Sequence, residues 1–145
     1  MRKLFIAVFM FVSSFGSNVM ADGHSIKMGI ILGFTGPIES LTPAMAASAE
    51  LAFKEASDSG SLLGGQKISV ERADSTCVDS AAATAAAEGL VSGGVVAIMG
   101  ADCSGVTGAI ATNVAVPNGV VMISPSATSP GLTAVSYTHL RAHET

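Results

Sequence analysis

Two short turns rich in hydroxyls carry most of the chemistry this chain can do. Asp102-Cys103-Ser104-Gly105 follows the apolar run Val95-Val96-Ala97-Ile98-Met99-Gly100. Ser124-Pro125-Ser126-Ala127-Thr128-Ser129-Pro130 follows Val120-Val121-Met122-Ile123. Such turns offer hydroxyls and backbone N–H groups but no strong acid or base. They suit holding a small polar molecule better than transforming it. In an open parallel α/β sheet, ligands bind beyond the carboxyl ends of the strands, which is where both turns fall.

Ser104 admits three readings. It can cap the helix that follows it. It can bind an anion there, because a helix N-terminus exposes unpaired N–H groups and partial positive charge. It can be a nucleophile, but Asp102-Cys103-Ser104-Gly105-Val106 lacks the first and last glycines of a nucleophile elbow. The nearest histidine in sequence outside the last ten residues is His24, so serine hydrolysis is disfavoured and no catalytic residue is assigned.

Cys77 and Cys103 are the only cysteines. In an exported protein such a pair reads as one disulfide, worth roughly 3–4 kcal/mol in the chain-entropy model. The alternatives are two free thiols, or a two-cysteine metal site that would need further ligands. Asp74 and Asp79 flank Cys77 and read most simply as a solvated strand end and a helix cap. The Gly33–Gly36 turn lacks a third glycine at dinucleotide-binding spacing, and no Gly-Lys-Ser/Thr forms a phosphate loop. No cofactor or metal is expected.

The elements that must position these residues alternate strand and helix. Ile26 to Leu32 reads as a buried strand. Thr42 then caps a helix with Pro43 at its first position, and Met45, Ala49, Ala52, Phe53 and Ala56 recur at helical spacing until Gly60. Lys67 to Asp74 alternates apolar and polar residues, which suits a strand nearer the sheet edge. Asp79 caps an alanine-rich helix from Ser80 to Val91, closed by Gly93-Gly94. Val95 to Met99 is an apolar strand, Ser104 to about Val114 a third helix, and Val120 to Ile123 a fourth strand. Alternation with short connections predicts an α/β fold, a parallel sheet with helices on both faces.

Both ends of the chain differ from this body. Residues 1–21 read as a signal peptide: Arg2 and Lys3, an apolar run from Leu4 to Val12, and Val19-Met20-Ala21 before the cut. That run is far below the ~20 residues of a bilayer-spanning helix. No cysteine lies near the cut, so a soluble periplasmic protein is expected and not a lipoprotein. Residues 136–145, Ser136-Tyr137-Thr138-His139-Leu140-Arg141-Ala142-His143-Glu144-Thr145, read as a non-native tail derived from a sequencing adaptor. The i, i+4 pair His139 and His143 is too small a ligand set for a metal. Residues 22–135 hold four basic residues against ten acidic ones, a net charge of −6 compared with −4 for the whole chain. An acidic body without a basic run, and without tryptophan, argues against nucleic-acid binding.

From Ile26 to about Val135 the chain resembles the type I periplasmic solute-binding proteins of ABC importers, in their branched-chain amino-acid binding group. Gly33-Phe34-Thr35-Gly36-Pro37 after the first strand, the pair Cys77 and Cys103, Ser104 opening a helix, and Ile123 to Pro130 after the fourth strand carry the resemblance. It implies a Rossmann-like first lobe of a two-lobe fold with the ligand between the lobes. It implies that Ser104 and Thr128 hold a ligand carboxylate, and that Ser126, beside Ala127 in the same turn, offers its carbonyl to the ligand ammonium. Family members often carry an aromatic pocket wall where this chain has Leu41. The resemblance covers about a third of a family member, so the chain is expected to be a truncated N-terminal lobe. The partners it implies are an amino acid or related solute and an ABC permease in the inner membrane. A ligand sensor of the same fold for amides or urea, or a fragment without activity, are the alternatives.

Overall fold

A computed structural model describes residues 25–62 and 64–134. The segments read above as a signal peptide and an adaptor-derived tail lie outside the described residues. The element order is β1 (Ile26–Leu32), α1 (Thr42–Asp58), β2 (Ile68–Asp74), α2 (Ser80–Ser92), β3 (Ala97–Gly100), α3 (Ser104–Ile110), a π-helical turn (Ala111–Ala115), β4 (Val121–Ile123) and α4 (Pro130–Ala134).

The four strands form one sheet in the order β2-β1-β3-β4, and every pairing is parallel. β2 is an edge strand, as its alternating pattern predicts. Residues of β1 point alternately to two cores. Ile31 packs with Ile98 and Met122 against Ala83, Ala87 and Leu90 of α2 and Val106 and Ile110 of α3. Ile30 and Leu32 pack on the other side with Ala46, Met45, Ala49 and Phe53 of α1. Helices therefore cover both faces. Gly29 of β1 leaves room for the end of α2: an added Cβ would lie 3.0 Å from the Leu90 side chain. On the α1 side, β3 and β4 lie under an open apolar trough of about 170 Å³ lined by Met28, Phe53, Met99, Val121 and Ile123. Ile123 is 65% exposed there. No helix among the described residues is long and apolar enough to cross a membrane.

The structure corrects several boundaries. Thr42 is the first helical residue and not the cap; Leu41 precedes the helix. The Thr42 side chain turns inward, and its hydroxyl donates to the Gly33 carbonyl at 3.1 Å. β3 starts at Ala97 because Val95 closes α2 instead, donating its N–H to the Leu90 carbonyl at 3.2 Å. α3 widens into the π turn, where the Val116 N–H reaches the Ala111 carbonyl at 3.0 Å. α4 was not expected, because Ser129-Pro130 reads as part of a turn.

Candidate functional site

The chain leaves β1 for α1 on one face, while β3 leaves for α3 on the other. A crevice at the carboxyl ends of β1 and β3 follows from this reversal of direction. Beneath it the Gly33 N–H donates to the buried Asp102 carboxylate at 2.8 Å.

Ser104 is the first residue of α3, after Cys103 in extended backbone. It does not cap α3. Its Oγ instead accepts the backbone N–H groups of Thr128 and Ser129, each at 3.1 Å. A hydroxyl has two lone pairs and one proton. With both lone pairs engaged, Ser104 has only its O–H left to give. The structure thus brings Ser104 and Thr128 together, through the Thr128 main chain.

Ser124 builds the second turn. Its hydroxyl donates to the Ala101 carbonyl and accepts the N–H groups of Ser126 and Ala127 at 3.3 and 2.9 Å. The Ser126 hydroxyl donates to the Asp102 carbonyl at 2.8 Å. The two turns are therefore bound to each other directly. Thr107 anchors α3 from below, its one hydroxyl proton shared between the carbonyls of Cys103 and Ala101 at 2.9 and 3.1 Å. Leu41 sits before α1 on the same edge of the sheet and is 60% exposed. Leu41 itself bonds to neither turn; its N–H donates to the Ile38 carbonyl at 2.9 Å.

Cys77 and Cys103 form the disulfide, with their Cα atoms 5.2 Å apart. It joins the loop after β2 to the start of α3. Thr76 and Cys77 have φ of 56° and 70°, rare for residues with side chains, so this loop is sharply turned. The carbonyl of Thr76 approaches Gly36 so closely that an added Cβ would lie 2.6 Å from it. Only glycine fits that contact.

Two carboxylates do more than the sequence suggests. Asp74 is not a free solvated group. It accepts the Thr35 hydroxyl at 2.5 Å and the Thr76 N–H at 2.8 Å. Burial pushes its pKa up, but hydrogen bonds from the Thr35 hydroxyl and from the Thr76, Thr35 and Phe34 amides outweigh it and hold the carboxyl below its ordinary value. Asp79 does cap α2, accepting from Ala81 and Ala82. Asp102 received no role from the sequence, yet it is buried with three side-chain hydrogen bonds. Local sequence carries no signal for it: the alternating burial of β3 ends at Gly100, and both Ala101 and Asp102 are buried.

Comparison with known proteins agrees with the fold. The chain matches the Periplasmic binding protein family over residues 25–144, and it belongs to that family. The leucine-, isoleucine-, valine-, threonine- and alanine-binding protein of Pseudomonas aeruginosa is 34% identical over 94% of this chain and 35% of its own length. The branched-chain amino acid transporter substrate binding protein LivJ of Streptococcus pneumoniae, solved with isoleucine, superposes with a TM-score of 0.68 at 35% identity, over 76% of this chain and 31% of that one. An ABC transporter substrate-binding protein of Desulfitobacterium hafniense in complex with Leu gives 0.67 at 30% identity, over 80% of this chain and 33% of that one. The chain thus spans about a third of the length of these relatives.

Proposed function

We propose that this chain forms the first lobe of a periplasmic solute-binding protein that serves an ABC importer. The lobe captures a branched-chain amino acid or a similar small polar solute in a cleft closed by a second lobe, and delivers it to a permease in the inner membrane. The observation that carries the reading is the Ser104 hydroxyl at the mouth of the crevice, with both lone pairs engaged by Thr128 and Ser129. Such a hydroxyl is a donor only, and a carboxylate is an acceptor only. Thr128 and the Ser126 carbonyl complete the ligand set in this reading, with Leu41 as an aliphatic pocket wall. The same bonding argues for binding over catalysis, because an oxygen whose lone pairs are both engaged is poorly prepared to attack.

Calorimetric titration of the full-length protein with L-leucine and L-isoleucine tests this. Ser104→Ala removes the donor and loosens the Thr128 turn. The expected affinity loss is about 10- to 100-fold or more, the size of a hydrogen bond to a charged group. Binding that survives both Ser104→Ala and Thr128→Ala unchanged would overturn the site.

A further inference from the structure

Asp102 is 3% exposed and lies where all four strand-end segments meet. Its Oδ2 accepts the Gly33 N–H after β1 at 2.8 Å. Its Oδ1 accepts the Ser75 hydroxyl after β2 at 3.2 Å and its neighbour's N–H, that of Cys103 before α3, at 3.0 Å. Its carbonyl accepts the Ser126 hydroxyl after β4 at 2.8 Å. No lysine or arginine is among its partners in the described residues, so donors alone balance the charge.

Resting on the solute-binding reading above, we propose that Asp102 is a positioning residue for that site. Buried beneath the crevice, it does not touch the solute. It sets the Gly33 loop, the disulfide loop and the first turn of α3 in one fixed relation, so that Ser104 is oriented before the solute arrives. Preorganisation of this kind raises affinity by removing an ordering cost.

The bonding demands a carboxylate and not merely its shape. All three side-chain partners are donors. An asparagine could relieve Ser75, whose hydroxyl can rotate to accept. It could not relieve both amides: in one orientation its NH₂ faces the Gly33 N–H, in the other the Cys103 N–H. Either way one backbone donor loses its acceptor and a segment must move.

The test uses the full-length protein, with L-leucine affinity by calorimetry, thermal unfolding, and the backbone amide resonances of Ser104, Thr128 and Ser129. Asp102→Asn is expected to weaken leucine binding about 10- to 100-fold, as for a lost charged hydrogen bond, and to shift those three resonances in the unliganded protein. A variant that is less heat-stable yet binds leucine within about twofold of the parent overturns the proposal. Ser75→Ala keeps the carboxylate and removes one donor, so it serves if Asp102→Asn does not fold. Its expected loss is about 3- to 10-fold, near the net value of one ordinary hydrogen bond, and unchanged affinity and resonances count against the proposal. A parent protein that binds neither leucine nor isoleucine overturns the solute assignment instead. The positioning role is then decided by whether Asp102→Asn shifts the three resonances or leaves them in place.

Discussion

The carboxyl edge of the sheet is tied in two different ways. The loops after β1 and β2 are tied by carboxylates: Asp74 gathers Thr35 and Thr76, and Asp102, reaching across from the end of β3, gathers Gly33 and Ser75. On the β3–β4 side the ties are hydroxyls: Ser104 gathers Thr128 and Ser129, and Ser124 gathers Ser126 and Ala127. A carboxylate only accepts, so its bonds are spent on the protein. A hydroxyl that has accepted twice still has a proton to give. The first side is therefore a frame. The second holds itself together and keeps one of these donors, the Ser104 O–H, for a solute; Ser124 has already given its proton to the Ala101 carbonyl.

Cutting the covalent link between the two sides gives the largest expected effect. The Cys77–Cys103 bridge spans 26 residues of sequence and joins the β2 loop to α3. Replacing both cysteines by serine is expected to cost roughly 3–4 kcal/mol in the chain-entropy model. Urea unfolding of the parent and the double variant measures it. If the carboxylate frame holds without the bridge, the folded double variant keeps leucine affinity within a few-fold. A large affinity loss would make the bridge, and not the carboxylates, the element that sets the crevice.

The second test uses acid, which acts on carboxylates and spares hydroxyls. The hydrogen bonds to Asp74 hold its folded-state pKa below the unfolded value. Its contribution is whole at neutral pH, above the ordinary aspartate range, and is lost as the pH falls through the folded value. Asp74→Asn is expected to cost about 1–2 kcal/mol at neutral pH, with the gap to the parent narrowing in acid. A gap that stays constant with pH would show that the Thr35 and Thr76 contacts do not depend on the charge.

Local and tertiary information part company in this chain. Ile26–Leu32 is legible as an apolar run, α1 by its helical apolar spacing, α2 by its cap, its alanines and its closing glycines, and the cysteine pair because no other cysteine competes. The fourfold meeting at Asp102 is not, because Gly33, Ser75 and Ser126 become neighbours only after three crossovers. Ser104 misleads for a similar reason. Its position before a helix suggests a local cap, but the N–H groups it serves come from residues 128 and 129, across the sheet edge. The candidate site residues stand out by type, and their bonding comes from topology. β3 began two residues late because an apolar dipeptide such as Val95-Val96 cannot signal whether it ends a helix turn or begins a strand.

The smallest expected effect concerns a carboxylate that does have a counter-ion. Glu50 on α1 receives both the Nε and an Nη of Arg72 on β2, at 2.6 and 2.7 Å, and the guanidinium lies 5.6 Å from the Phe34 ring centre. The hydrogen bond from Arg72 holds the Glu50 carboxyl below its ordinary value. By geometry this is a stronger pair than any bond to Asp102. Yet both side chains remain well exposed, at 44% and 37%. Water and salt screen such a pair, so Glu50→Gln is expected to cost no more than about 1 kcal/mol, and less as salt rises. Arg72→Ala should cost about 0.5–1 kcal/mol more, because it also uncovers the Phe34 ring. Neither change should move leucine affinity. An affinity loss in Glu50→Gln comparable to that of Asp102→Asn would mean that the frame is set by net charge on the β1–β2 side. Its absence would leave burial and the number of backbone donors as the property that makes a carboxylate a tie.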